Sequence, residues 1–306
     1  FTIIPEVQGN NVDKDKTAAL IKEAVRSGSS EVDLVASGCY VTVGVTAEDA
    51  ALKDLCDTMN RCRDMVITYQ FGEQTIKLEG ETICTWILGS TQDGLVDVNY
   101  DMAAAFVKSM ADQFDTAGKT RAFHTTTGKD LNLTGPYGWQ IDQAGETASL
   151  IAMIRTGQSQ LREPLYSKKA QDRTTDWGKT YVEIDLTNQH VYMYQDGNLA
   201  WDAPCVTGNV SKNYTTPEGI YSLTYKQTDR VLRGEKKADG TYEYESHVDY
   251  WMPFNGGIGL HDASWRSKFG GTIYQYGGSH GCINLPSGKA KTLYDMVYTG
   301  IPVICY

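Results

Sequence analysis

The sequence contains no CxxC pair, no long apolar run and no excess of basic residues, and each absence excludes a class of protein. Without a CxxC pair, a zinc ribbon or a thioredoxin-like redox motif has little support. The formal net charge of −10 disfavours nucleic acid or an anionic membrane as partner, because both require a basic face. Apolar stretches such as residues 102–107 are too short to cross a bilayer.

The first ten residues also lack the basic flank and apolar core of a signal peptide. We therefore expect that any membrane anchor would lie upstream of them. The chain contains no internal repeat and no low-complexity segment. Its apolar and charged contents are close to globular averages, which excludes a disordered or fibrous protein.

A length of 306 residues predicts two domains, and helical periodicity prevails in the first half. One helix is predicted to begin at Thr46 and to place Cys56 on its apolar face. Others are predicted after Asn99 and over residues 146–155, with strand-like segments between them. The sequence thus predicts an α+β N-terminal domain over residues 1–165.

The pattern changes after a polar stretch, which predicts a linker over residues 166–178. Apolar and polar residues then alternate, and the hairpin signal Asp196-Gly197 separates two such runs. A helix from about Ser287 to Thr299 precedes a closing strand. These features predict a mostly β domain over residues 179–306.

Seven cysteines, an odd number, leave at least one thiol free. If Cys282 is that thiol, the other six can pair in an oxidising compartment or remain buried thiols in a reducing one. The sequence leaves both alternatives open. These six are Cys39, Cys56, Cys62, Cys84, Cys205 and Cys305.

Two glycine-rich segments, "GGIGLHDASWRSKFGG" and "YQYGGSHGCINLP", carry the residues that indicate chemistry. Cys282 is only a few per cent thiolate at neutral pH unless a neighbour stabilises the anion, and His261 is such a neighbour if the fold unites them. Gly277, Gly278 and Gly281 leave room for a substrate carbonyl to approach. The combination favours covalent acyl transfer.

The other histidines and a metal site are the alternatives to this interpretation. Zinc held by His261, His280 and Cys282 lacks a fourth ligand at an obvious spacing, so we predict no metal. His124 and His190 are predicted to be structural or exposed. A local pair of His247 with Asp249 is also compatible with the sequence.

"HDASWRSKFGG" followed by "YGGSHGCINLP" closely resembles the signature of the L,D-transpeptidases, and the resemblance covers about residues 179–306. That family has a mostly β catalytic domain. The segment "FHTTTGKDLNLTGPYGWQID" with its following helix resembles the peptidoglycan-binding domain that precedes such domains in Gram-positive enzymes. The first half lacks a nucleophile with a partner, which agrees with a binding or positioning module.

The resemblance implies that Cys282 attacks a peptidoglycan tetrapeptide stem, releases the terminal residue and forms a thioester, with His261 as base and then acid. An acceptor amine would give a 3→3 cross-link, and water would give an L,D-carboxypeptidase. It further implies a role in cell-wall biogenesis and cell shape, acylation by carbapenems, an extracellular or wall-bound location, no cofactor, and a monomer.

The resemblance also implies supporting residues. The amides of Gly281 and Cys282 are the oxyanion-hole candidates, and Ser279 and His280 would shape the loop. The family histidine is held by a backbone carbonyl, so Asp262 is not expected to act as a triad aspartate. Four residues are predicted to line the substrate groove, although for each aromatic core packing is an equal alternative. They are Asn284, Trp265, Tyr274 and Tyr276.

Two other classes remain open. A cell-wall cysteine endopeptidase uses the same residue types, but papain-like families place the cysteine before the histidine, whereas His261 precedes Cys282 here. The non-enzyme alternative is a wall-binding protein that retains an unused thiol. Cleavage of an internal peptide bond would identify the first, and absence of any acylation the second.

Overall fold

The computed structural model describes residues 1–7 and 9–306, which form two compact units that are each discontinuous along the chain. The first unit contains Phe1–Gln70, Thr75–Phe106 and Thr147–Glu163. The second contains Phe71–Gln74, Val107–Glu146 and Pro164–Tyr306. The domain limits proposed above stay a prediction.

The described residues contain seven helices, and most of them lie in the first half of the chain. Among these residues no helix has the length and apolar character needed to span a membrane. The helices are α1 (Lys14–Ser27), α2 (Ala50–Asp64), α3 (Gly80–Cys84), α4 (Tyr100–Phe114), α5 (Gln143–Thr156), α6 (Ile273–Gly277) and α7 (Ser287–Met296).

The helical predictions hold with adjusted ends. Helix α2 is capped by Asp49, whose Oδ1 accepts from the Leu52 amide at 3.0 Å, so the predicted start at Thr46 was wrong. Its fully buried cysteine is Cys62, whereas Cys56 is half-buried. Asn99 begins α4 as predicted, because its Oδ1 accepts from two amides of the first turn.

Nine short strands precede residue 170, in one three-stranded sheet and several two-stranded pairs. The last of them lies inside the predicted linker and pairs with β7. They are β1 (Val66–Phe71), β2 (Gln74–Glu79), β3 (Ile87–Ser90), β4 (Val96–Val98), β5 (Arg121–His124), β6 (Asp130–Leu133), β7 (Gln140–Ile141), β8 (Gln160–Arg162) and β9 (Tyr166–Lys168).

The remaining nine strands form two sheets, ordered β12-β11-β10-β18-β13 and β14-β15-β16-β17. An α+β N-terminal region followed by a mostly β domain is thereby confirmed. The strands are β10 (Tyr181–Asp185), β11 (His190–Gln195), β12 (Asn198–Pro204), β13 (Gly219–Ser222), β14 (Gln227–Arg233), β15 (Glu245–Asn255), β16 (Ile258–Asp262), β17 (Ile283–Leu285) and β18 (Pro302–Cys305).

One apolar core joins these two sheets. It contains Val182 and Met193 of the five-stranded sheet together with Met252 and Leu260 of the four-stranded sheet, all at most 1% exposed. Helix α7 contributes Leu293 to the same core. Since burial of each such side chain contributes about 1.5–3 kcal/mol, this core holds β16 and β17 firmly in place.

Candidate active site

Strands β16 and β17 bring His261 and Cys282 together. The two strands are parallel, with His261 opposite Asn284, and Cys282 stands two residues before Asn284. Because residues two apart in extended chain share a face, the Cys282 side chain points to the same side as Asn284 and His261. Cys282 and His261 consequently line one cavity of about 200 Å³.

A backbone carbonyl fixes the His261 imidazole. Its Nδ1–H donates to the Asp262 carbonyl oxygen at 2.7 Å, and since a carbonyl only accepts, Nδ1 carries the proton and Nε2 is the unprotonated, accepting nitrogen. The Asp262 carboxylate points elsewhere and accepts from the Tyr250 amide at 2.8 Å. The Asp262 group that contacts the imidazole is therefore its main-chain carbonyl and not its carboxylate.

Burial keeps both reactive groups neutral. Desolvation lowers the pKa of His261, which is 3% exposed, and raises the pKa of the Cys282 thiol to about 11. The Cys282 Sγ–H donates to the Gly257 carbonyl at 3.5 Å, and no hydrogen bond joins Sγ to His261 within the described chain. The resting pair is a thiol and a neutral imidazole, so Cys282 becomes a thiolate only when a base removes its proton.

This state predicts a steep pH dependence of alkylation. With a thiol pKa of about 11, the thiolate fraction rises with pH, so the rate of iodoacetamide addition to Cys282 should increase about tenfold per pH unit from pH 7 to 10. Peptide mapping by mass spectrometry separates Cys282 from the other six thiols. A rate already on its plateau at pH 7 would contradict a neutral pair.

The Asn284 amide lies between His261 and Arg266, and one orientation satisfies both neighbours. Nδ2 then donates to His261 Nε2 at 3.1 Å, while Oδ1 accepts from Arg266 Nε at 2.7 Å and Nη2 at 3.2 Å. Asn284 is 1% exposed. The predicted lining residue is thus a polar link that holds the imidazole on the side opposite Asp262.

Ser279 and Gly281 shape the turn that carries Cys282. Ser279 Oγ donates to the Cys282 carbonyl at 2.6 Å and accepts from the Gly281 amide at 3.1 Å. Gly281 has φ of +115°, a conformation that L side chains rarely adopt. Since the Gly281 amide is already engaged, the Cys282 amide is the oxyanion-hole candidate that we retain.

His280 lies outside this turn's hydrogen bonds. Its ring centroid is 4.5 Å from that of Tyr214 and 4.6 Å from that of Tyr244, and Nε2 is 3.4 Å from a Glu243 carboxylate oxygen. His280 lines the cavity with Cys282. His280 therefore forms part of the side of the cavity, packed between two tyrosine rings.

The predicted groove residues separate into two groups. Trp265 and Asn284 line the cavity, and the Trp265 ring is 5.9 Å from that of His261. Tyr274 lines a different cavity with Thr216 and Pro217. Tyr276 is 79% exposed and lines neither of these cavities.

The other histidines pair locally. His124 contacts Asp130 and His190 contacts Asp202, each at 2.7 Å. His247 binds Asp229 at 2.6 Å and lies 3.8 Å from the predicted partner Asp249.

All seven cysteines are free thiols in the structure; Cys56 and Cys84 are half-buried and the other five are buried. Within the described chain, no group of three or more His, Cys, Asp or Glu side chains is arranged to hold a metal.

A segment that the sequence did not single out supports the catalytic turn. The Ser279 amide donates to the Thr207 carbonyl at 3.0 Å, and the Asn209 amide donates to the Ser279 carbonyl at 2.9 Å. Thr216 Oγ1 donates to the Gly281 carbonyl at 2.7 Å. These contacts join residues some 70 positions apart. The sequence indicates only a turn there, through "TGN" at residues 207–209, and not its partner.

Gly208 allows this close approach. A Cβ there would lie 1.9 Å from the Tyr214 carbonyl oxygen and 3.0 Å from Gly281 Cα. We expect Gly208→Ala to destabilise the fold by about 1–3 kcal/mol and to displace the catalytic turn. Thermal unfolding and alkylation of Cys282 would measure both effects.

Gly288 is the matched control for Gly208. It lies in α7, where an added Cβ meets nothing within 4 Å, so Gly288→Ala should leave the melting temperature unchanged or raise it. Equal melting temperatures for the two variants would contradict the steric argument.

The site is thus a histidine on β16 and a cysteine in the turn that leads into the adjacent parallel strand β17 of a two-sheet domain. Comparison with known families agrees: the family described as "L,D-transpeptidase catalytic domain" matches residues 179–305, and "Putative peptidoglycan binding domain" matches residues 54–162. No curated protein matches the chain.

Among the solved structures that match, two examples cover most of the chain. The Ldtfm–avibactam carbamoyl enzyme is 32% identical with a TM-score of 0.66, and the match covers 83% of this chain and 98% of that one. A cysteine-to-serine mutant of the Enterococcus faecium L,D-transpeptidase is 31% identical, with a TM-score of 0.66 and coverages of 83% and 100%. The chain belongs to the L,D-transpeptidase family.

Proposed function

We propose that this protein is a peptidoglycan L,D-transpeptidase that forms 3→3 cross-links through an acyl-enzyme on Cys282. The observation that carries the proposal is the shared cavity of Cys282 and His261, with the imidazole tautomer fixed by Asp262. A thiol beside an unprotonated Nε2 is the arrangement that nucleophilic acyl transfer requires.

Acylation begins with rotation of the Cys282 side chain from Gly257 towards His261. Sγ–H displaces Asn284 Nδ2 from His261 Nε2, which then takes the thiol proton. Sγ bonds to the carbonyl carbon of the third stem residue, whose oxygen becomes negative near the Cys282 amide. The C–N bond then breaks, and the departing terminal residue receives the proton from His261. The product is a thioester.

Deacylation returns the enzyme to its resting state. An acceptor amine attacks the thioester carbon and gives its proton to His261, the C–S bond breaks, and the thiolate recovers a proton. Water in place of the amine would release a tripeptide.

Room for two substrates supports a transferase. Besides the cavity with His261, Cys282 lines a second cavity of about 340 Å³ together with Gly257, Arg230 and Trp251. A nucleophile that faces two cavities can take an acyl donor from one and an acceptor from the other. An enzyme that only hydrolyses needs one of them.

The N-terminal part of the chain would bind or position peptidoglycan, in keeping with the family matched at residues 54–162. We also propose that the protein works as a monomer at the cell wall, outside the membrane, where stem peptides are accessible and where cross-linking influences cell shape. Carbapenems, which offer a strained carbonyl, would acylate the same thiol.

The experiment that tests this function is incubation with a disaccharide-tetrapeptide, followed by mass spectrometry of protein and products. A thioester on Cys282 and a cross-linked dimer support the proposal. Tripeptide alone identifies a carboxypeptidase, and cleavage of an internal bond identifies an endopeptidase. A reactive thiol that yields none of these products indicates a wall-binding protein without enzyme activity.

A further inference from the structure

Arg266 is a cation in the catalytic cavity without an anionic partner. It lines the cavity with His261 and Cys282, and within the described residues it takes part in no ion pair. Its guanidinium is partly buried, and burial lowers its pKa. Desolvating a cation without a counter-charge costs free energy, which a bound anion would recover.

The guanidinium is held in place but retains donors. The Arg266 amide donates to the Ala263 carbonyl at 3.0 Å in the turn after β16, and Nε and Nη2 both donate to Asn284 Oδ1. The Nη1 group has no hydrogen-bond partner among the described residues. Arginine binds carboxylates and phosphates through such N–H donors more specifically than lysine does.

The cavity is too small for a long peptide segment. Its volume of about 200 Å³ is below the range of roughly 300–1,000 Å³ that encloses a drug-sized ligand. A peptide end therefore fits better than a peptide interior. Any group bound there lies close to Cys282, His261 and Arg266 at once.

We propose that Arg266 binds the terminal carboxylate of the acyl donor, so that the site selects stem peptides that end one residue after the bond that Cys282 attacks. This inference rests on the proposed function, because it assumes a peptide donor. It makes Arg266 the residue that distinguishes a tetrapeptide from a longer or an amidated stem.

Binding to the Cys282→Ala protein tests the inference without turnover. The probes are a disaccharide-tetrapeptide and the same molecule with its terminal carboxylate converted to an amide, compared by calorimetry. We expect the carboxylate form to bind at least tenfold more tightly. Adding Arg266→Gln should remove that preference, and Arg266→Lys should restore part of it.

Lys268→Gln is the matched control, since Lys268 is exposed on the same loop and lines none of the cavities described. It removes the same unit of charge and should leave the preference intact. Equal binding of the two probes, or a preference that survives Arg266→Gln, would overturn the inference. Equal losses for both probes would also overturn it, because they indicate a structural role through Asn284.

Acylation of the enzyme that retains Cys282 tests the proposed function independently of the inference about Arg266. If no stem peptide acylates Cys282 but the Arg266-dependent preference is present, the proposed function fails and the carboxylate site stands. If acylation proceeds equally with both probes, the function stands and the inference fails. In the expected result, only the carboxylate form is an efficient donor, and Arg266→Gln abolishes that advantage.

Discussion

The Cys282→Ala variant should form no acyl-enzyme and no cross-linked product, while it keeps its fold. The side chain is small and 8% exposed, so its loss removes one sulfur from a site that other contacts support. The main chain of the turn is held by Ser279 and by Thr216, neither of which bonds to the thiol. Loss of a nucleophile reduces turnover on the order of 10⁴–10⁶-fold.

Intact-protein mass spectrometry after incubation with tetrapeptide measures this effect, and thermal unfolding shows that the fold is retained. Cys56→Ala is the control, because Cys56 is a half-buried thiol in the first compact unit. It should acylate at the normal rate. An adduct on the Cys282→Ala protein would remove the cysteine from the mechanism.

Replacing His261 with glutamine should slow acylation by about 10²–10⁴-fold, the usual contribution of a general base. Glutamine can still donate a hydrogen bond, but it cannot accept the thiol proton at neutral pH. Since the pKa of Cys282 is raised to about 11, little thiolate forms without a base. The defect should therefore shrink as the pH is raised towards 10.

Single-turnover acylation, followed at several pH values, measures this defect. His247→Gln is the matched control, because His247 is an exposed histidine that pairs with Asp229. Its acylation should be unchanged. A His261→Gln rate within tenfold of the original at pH 7 would exclude a base role for His261.

Local sequence patterns predicted much of the fold and both residues of the reactive pair. Alternation and turn signals predicted the strands that begin after residue 179, because the period of two is set by the pleat itself. Asn99 marked the start of α4 because a capping side chain acts within its own turn. His261 and Cys282 were recognisable because each stands in a glycine-rich segment of a specific motif.

Long-range contacts could not be predicted from the sequence. Arg266 was visible in "HDASWRSKFGG", but nothing in that string shows that its guanidinium meets Asn284 from another strand. The resemblance implies that Tyr274 lines the substrate groove, whereas it lines a different cavity. The role of residues 207–209 likewise depends on tertiary pairing with the catalytic turn.

The most direct test of the central claim is the identity of the product formed from a disaccharide-tetrapeptide, determined by mass spectrometry. The account predicts a dimer that has lost one terminal residue, formed through a thioester on Cys282. Products cut at an internal peptide bond would contradict it. So would an enzyme with a reduced, alkylatable Cys282 that forms no thioester with this donor.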